Sequence, residues 1–156
     1  MVYSGCGAEW GSGNDNLWPH MSSLGTSYQY TTNDASANGG HIIVNSYFVA
    51  PELAGGGDCY TDIIRPIGVY AHEFGHVLGL PDLYDRDASN GSSEGIGNWC
   101  LMAGGSWNGW AGDTPAHMSA WCKQAMGWVD PTVLDMDQSG VEIPQTETNA
   151  FALKIW

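Results

Sequence analysis

Apolar positions are unevenly spread along this 156-residue chain. Residues 1–40 are rich in Gly, Ser, Asn and Asp, so beyond a short strand at Met1 to Tyr3 they predict loop. Leu17-Trp18-Pro19 and Tyr28-Gln29-Tyr30 are their two apolar punctuations. HIIVNSYFVAPE, His41 to Glu52, is dense in β-branched and aromatic residues and predicts the clearest strand, stopped by Pro51. Leu53 to Tyr60 contains three consecutive glycines and predicts a loop. From Pro66, a favourable first-turn residue, apolar positions recur at helical spacing: Ile67, Tyr70, Ala71, Phe74, Val77 and Leu78. They predict a helix to about Leu78 with that stripe buried. Gly79 then supplies the left-handed conformation that stops a helix, and Pro81 prevents resumption. Asp85 to Asn98 reads as loop. A second helix is expected from about Pro115, with Asp113 or Thr114 as N-cap, to Met126, closed by Gly127. Beyond Pro131, Val141 and Ile143, then Phe151, Leu153 and Ile155, alternate as strands do. The pattern gives an α+β unit over residues 1–131 and a C-terminal β extension, 132–156, leading out of it.

Composition sharpens this picture in two ways. Lys plus Arg number 4 against 17 Asp plus Glu, a net charge of -13. Nucleic acid and anionic membrane surfaces both need a positive face, so neither is expected as a partner. No run of eighteen apolar residues exists, so no membrane span is expected. The start, MVYSGCGAEW, has neither the basic nor the apolar region of a signal peptide. Cys6, Cys59, Cys100 and Cys122 lack the CxxC spacing of zinc or redox motifs and allow three pairings, or four buried thiols. The acidic, cysteine-bearing composition fits a secreted protein.

The strongest chemical signal is AHEFGHVLGLPD, Ala71 to Asp82. Residues four apart share a helix face, so His72 and His76 can aim imidazole nitrogens at one Zn2+ ion. Glu73 is rotated by about 100° and flanks the ion rather than ligating it. Chance alone supplies H-E-x-x-H on the order of once in two hundred chains of this length. The helix stop at Gly79-Leu80-Pro81 adds to it, because a ligand ten residues past His72 needs a sharp turn. Asp82 has the spacing for that third ligand, and a carboxylate oxygen is an accepted zinc donor. Asp85 is less well placed, Glu94 lies in a glycine-serine loop, and His20, His41 and His117 are weaker rivals. Met102, in WCLMAGGSWNGW, stands at a glycine turn downstream of the helix, where a supporting methionine beneath the metal would lie.

HEFGHVLGLPDLYD, CLMAGGSWNG and TPAHMSAWCKQAMGWVDP closely resemble the catalytic domain of the immune inhibitor A family of secreted bacterial metallopeptidases. VYSGCGAEWGSGNDNLWPHMSSL resembles that family's segment ahead of the active-site helix, so the likeness covers most of residues 2 to 131. The resemblance implies a metzincin-like fold: a mixed sheet and active-site helix above a lower subdomain of helix and loop. It implies a zinc endopeptidase made with an export signal and propeptide, often with bound calcium and further C-terminal domains. His72 and His76 are then zinc ligands, Asp82 the third, and Glu73 catalytic. Two departures stand out. The family's domain normally carries more sequence ahead of the segment equivalent to Met1, which implies a truncated or naturally short N-terminal portion. No tyrosine follows Tyr84, so the tyrosine that some metzincins place after the methionine turn is absent, and the oxyanion stabiliser is open.

The expected reaction is peptide hydrolysis by a zinc-bound water, with Glu73 as general base and then acid. The strand His41 to Ala50 is expected as the edge strand at the cleft's upper rim, where an extended protein or peptide substrate would pair with it. Trp107 and Trp110 are candidates to line the adjoining pocket. Asp82 to Glu94 offers carboxylates and amides suited to Ca2+. The chain reads as a monomer. The competing reading is a truncated or inactive zinc-binding module for adhesion or scaffolding, which would have no use for Glu73.

Overall fold

The computed structural model describes residues 1–10, 16–55, 62–87 and 89–155. It is a mixed α/β structure of small sheets and few helices. Strand β1 (Val2–Cys6) lies parallel to β5 (Ser46–Leu53), and β2 (His20–Ser23) lies antiparallel to β5 on its other side. The central strand is thus β5, with Val2 opposite Ala50 and His20 opposite Val49. A separate hairpin joins β3 (Tyr30–Ala35) to β4 (His41–Val44). Its turn needs Gly39 and Gly40 at φ of 89° and 72°, the left-handed region that glycine enters without strain.

Four expectations are corrected here. The run His41 to Glu52 is two strands, not one: Asn45 separates β4, in the hairpin, from β5, in the main sheet. Pro51 does not stop β5, which continues to Leu53. The strand before the active helix is therefore not an edge; among the described residues β1 and β2 flank it. The polar first 40 residues hold three strands rather than mostly loop, because short polar strands carry little hydrophobic alternation for the sequence to display.

Helix α1 (Ile67–Val77) starts just after Pro66, which stands at its N-cap in extended conformation rather than in the first turn. Its buried face differs from the expected stripe. Gly68, Val69, His72, Glu73 and Gly75 are buried, whereas Ile67 and Phe74 are exposed. The reason is close approach. A Cβ on Gly68 would stand 1.9 Å from the Ser106 carbonyl oxygen, and one on Gly75 would stand 2.3 Å from Met102 Sδ. The helix presses its glycine-bearing face onto the segment 102–112, so the polar site residues share the interior with it. Met102, Cys100, Cys122 and Leu80 form a buried cluster beneath this face.

Helix α2 is shorter than expected, Ala120–Ala125, and its N-cap is Ser119, whose side chain accepts from the Cys122 N–H. Residues 113–119 are not helical, and Asp113 caps no helix: its Oδ1 accepts from the N–H of Trp110, which precedes it. Near the C terminus, β6 (Thr132–Leu134) pairs in parallel with β7 (Leu153–Ile155); Val141 and Ile143 lie outside any strand. Cys6 is disulfide-bonded, and Cys100 and Cys122 are free thiols. Cys59 lies outside the described residues, as does most of the glycine-rich loop around it.

Candidate metal centre and active site

The end of α1 builds the site. Gly79, at φ of 96°, donates its N–H to His76 O, and Leu80 N–H reaches Gly75 O. These two bonds are those of a Schellman motif, which closes the helix on its left-handed glycine. The turn carries Leu80 inward, where it is buried. The Leu80 carbonyl then accepts a hydrogen bond from His76 Nδ1 at 2.7 Å. Three residues on, Leu83 N–H donates to Met102 O at 2.8 Å, which fixes the chain around Asp82 to the methionine turn.

His72 is oriented from the other side. Its Nδ1 donates to Leu101 O at 2.8 Å. A carbonyl oxygen can only accept, so both imidazoles carry their proton on Nδ1 and present the Nε2 lone pair. Those lone pairs converge. His72 Nε2 lies 3.1 Å from His76 Nε2, and Asp82 Oδ1 lies 3.1 and 3.2 Å from the two nitrogens. Asp82 Oδ1 is buried without a hydrogen-bond partner. Three potential metal donors at such separations form a cradle that a single cation can occupy. The donor set of two imidazoles and one carboxylate suits zinc. Tetrahedral bonds of about 2.0–2.1 Å would separate the donors by about 3.3 Å, close to what is observed. Among the described residues this is the one group of His, Cys, Asp or Glu donors arranged to hold a metal ion.

The remaining sequence-predicted residues are distributed as follows. Glu73 is buried beside the triad, and its carboxyl is pushed above the ordinary glutamate range by desolvation, partly offset by His72 and His76. Met102 is fully buried, its thioether against Gly75, between the two histidines on α1. His20 donates from Nδ1 to Trp18 O and borders the triad's cleft without joining the donors. His41 lies in β4, and His117 lies 4.0 Å from Glu147. Asp85 and Asp87 accept from the N–H groups two residues on, in Asx turns.

A cleft of about 270 Å³ opens beside His72 and Glu73, between Trp18-Pro19 and the segment Ala103 to Trp107. Trp107 borders it; Trp110 does not. Behind it lies an ion pair that sequence reasoning missed. Arg65 bonds Glu9, their side chains 0% and 4% exposed, and the guanidinium sits 4.8 Å from the Trp107 ring centre. No local motif announces this pair, because its partners lie 56 residues apart.

Tyr84 was also missed. Its ring stacks on His72, with centroids 6.5 Å apart and planes at 19°. Burial, together with the nearby Asp82 carboxylate, pushes its hydroxyl pKa up to about 12. Arg86 approaches the other oxygen, Asp82 Oδ2, at 3.2 Å from a largely exposed position. Proximity in sequence to Asp82 was the signal available for both residues.

Comparison with known proteins agrees with this architecture. Residues 1–129 match the family described as immune inhibitor A peptidase M6, catalytic domain. The chain is 35% identical over 126 residues to immune inhibitor A of Bacillus thuringiensis subsp. alesti, covering 76% of this chain and 17% of that protein. It is 34% identical over 116 residues to the pre-pro-metalloprotease PrtV of Vibrio cholerae serotype O1, covering 72% of this chain and 11% of that protein. The chain thus spans a small part of the curated relatives it matches. No solved structure gives a significant match. The chain belongs to the immune inhibitor A family of M6 peptidases, over the family's catalytic domain.

Proposed function

We propose that this chain is the catalytic unit of a secreted, metzincin-like zinc endopeptidase. The observation that carries the reading is the convergence of three potential donors, His72 Nε2, His76 Nε2 and Asp82 Oδ1, within 3.2 Å of one another beside a buried glutamate. These three residues would hold the zinc. The ion supplies Lewis acidity, which polarises a scissile carbonyl and makes water more acidic.

The chain's own residues supply the rest. Glu73 accepts a proton from the attacking water and delivers it to the leaving nitrogen, as general base and then acid. Its desolvated position suits both roles, since a raised carboxyl pKa favours taking and holding a proton. Leu80 and Leu101 carbonyls hold the two imidazoles in the ligating tautomer. Met102 and Gly75 set the height of the platform beneath them. An extended peptide would pair through its backbone with β2, whose Met21 borders the triad's cleft and which packs on α1. A side chain next to the scissile bond would enter the cleft between Trp18 and Trp107.

The reading extends to the rest of the chain. Residues 1–131 are the catalytic domain and 132–156 a β extension, in a monomer. Export is supported by the disulfide at Cys6. The acidic loop from Asp82 to Glu94 would bind calcium, and a rise in melting temperature on calcium addition checks this.

The test is digestion of casein or gelatin, with and without a chelator, beside Glu73→Gln. Cleavage that stops in both arms supports the reading. Cleavage that persists in Glu73→Gln overturns the assigned mechanism. Zinc binding without any cleavage favours a non-catalytic module.

A further inference from the structure

Two sulfur atoms outside the metal site lie nearly in contact. Cys100 Sγ and Cys122 Sγ are 3.9 Å apart, and both residues are completely buried. Both are free thiols, yet Cys6 of the same chain is disulfide-bonded. A chain that carries one disulfide folds where thiols are oxidised. We propose that Cys100 and Cys122 form a second disulfide there, which braces the platform under the metal triad.

The geometry favours this pairing. Cys100 Sγ accepts from the backbone N–H groups of Met102 and Ser119, at 3.4 and 3.3 Å. Ser119 in turn caps the N–H of Cys122 at 3.3 Å. One turn therefore holds both sulfurs in place, facing each other. A disulfide requires about 2.05 Å between sulfurs, a closing movement of about 1.9 Å shared between two side chains. Both cysteines belong to one buried cluster with Leu80 and Met102.

The oxidant is a small-molecule or protein disulfide. One cysteine thiolate attacks a sulfur of that disulfide and expels a thiol. The second cysteine, deprotonated, attacks the mixed disulfide at the protein sulfur and expels the other thiol. Two protein thiols and one external disulfide thus become one protein disulfide and two external thiols. Burial keeps the oxidant out of the finished fold and pushes the Cys122 thiol pKa up, so exchange is fast only while the chain is folding.

The bond would enclose the stretch that supports the site. Between the two cysteines lie Leu101, whose carbonyl holds His72, then Met102 under Gly75, then the wall Ala103 to Trp107 of the cleft. Closing this loop removes disorder from the unfolded chain and restrains local opening beneath the metal.

The test uses the full chain exported to an oxidising compartment, denatured without reductant, alkylated and digested. A peptide pair linked through Cys100 and Cys122, both blocked from alkylation until reductant is added, is expected. Relative to that protein, Cys122→Ala should lose zinc to a chelator several-fold faster and melt lower by about 10 °C. Alkylation of both cysteines in material whose Cys6 disulfide is intact would overturn the proposal, as would linkage of either to a different cysteine. If Cys122→Ala does not fold, the peptide linkage in the unaltered chain decides.

Discussion

Gly75→Ala is a small change whose sign depends on how the site is built. In an exposed helix interior, alanine in place of glycine stabilises by about 1 kcal/mol. Here the added Cβ would stand 2.3 Å from Met102 Sδ and 3.1 Å from its Cε. An unstrained contact needs about 3.5–4.0 Å, so the thioether must withdraw by more than 1 Å. Met102 is fully buried among Leu80, Cys100 and Cys122, so the withdrawal has no free space to use. Overpacking of this kind costs about 1–3 kcal/mol. Subtracting the helix gain leaves a net change between about zero and a loss of about 2 kcal/mol, or a fall of up to roughly 8 °C in melting temperature for a domain of this size. Thermal unfolding in chelator and in excess zinc measures it, and the zinc-induced increment should shrink as well. Combining Gly75→Ala with Met102→Ala should cost less than the two single losses added together, because the new methyl occupies part of the vacated space. Stabilisation of about 1 kcal/mol by Gly75→Ala alone would refute the packing argument, since that is the helix propensity unopposed.

Three further outcomes follow from the same geometry. Gly68→Ala should destabilise more than Gly75→Ala, because its Cβ meets the backbone oxygen of Ser106 at 1.9 Å rather than a movable side chain; equal melting temperatures would contradict this. Glu9→Gln removes the carboxylate from the buried Arg65 guanidinium and should cost about 3–5 kcal/mol in denaturant unfolding, while Glu9→Gln with Arg65→Met recovers much of it. If the double variant is no better than the single, the pair does not act as a buried unit. Tyr84→Phe removes the hydroxyl beside Asp82 and should weaken zinc binding by about 10- to 100-fold in competition with a chromophoric chelator. Unchanged affinity would mean that the hydroxyl does not position Asp82.

The elements carried by strong local signals were legible in the sequence. Pro66 and Gly79 bracket α1 because a proline favours a helix start and a glycine tolerates the left-handed stop. His72, Glu73, His76 and Asp82 come together for the same reason: a helix period and one tight turn fix their relative positions within eleven residues. The side of α1 that is buried was misread, because the periodicity of apolar residues marks a hydrophobic face but not how closely a neighbour can approach. Gly68 and Gly75 decide that approach, and the sequence does not reveal what they meet. The small strand β2 was missed because its pairing with β5 is made by backbone groups and leaves little side-chain pattern. The Glu9–Arg65 pair was invisible because only the folded chain brings those two residues together.

The account rests on His72, His76 and Asp82 acting together as zinc ligands. X-ray absorption of the zinc-loaded chain, measured beside Asp82→Ala, tests this most directly. Two imidazole nitrogens at about 2.0–2.1 Å and a carboxylate oxygen at about 2.0–2.2 Å are expected, with the carboxylate signal and much of the zinc lost in the variant. Sulfur in the coordination sphere, or an unchanged spectrum and full zinc content in Asp82→Ala, would contradict it.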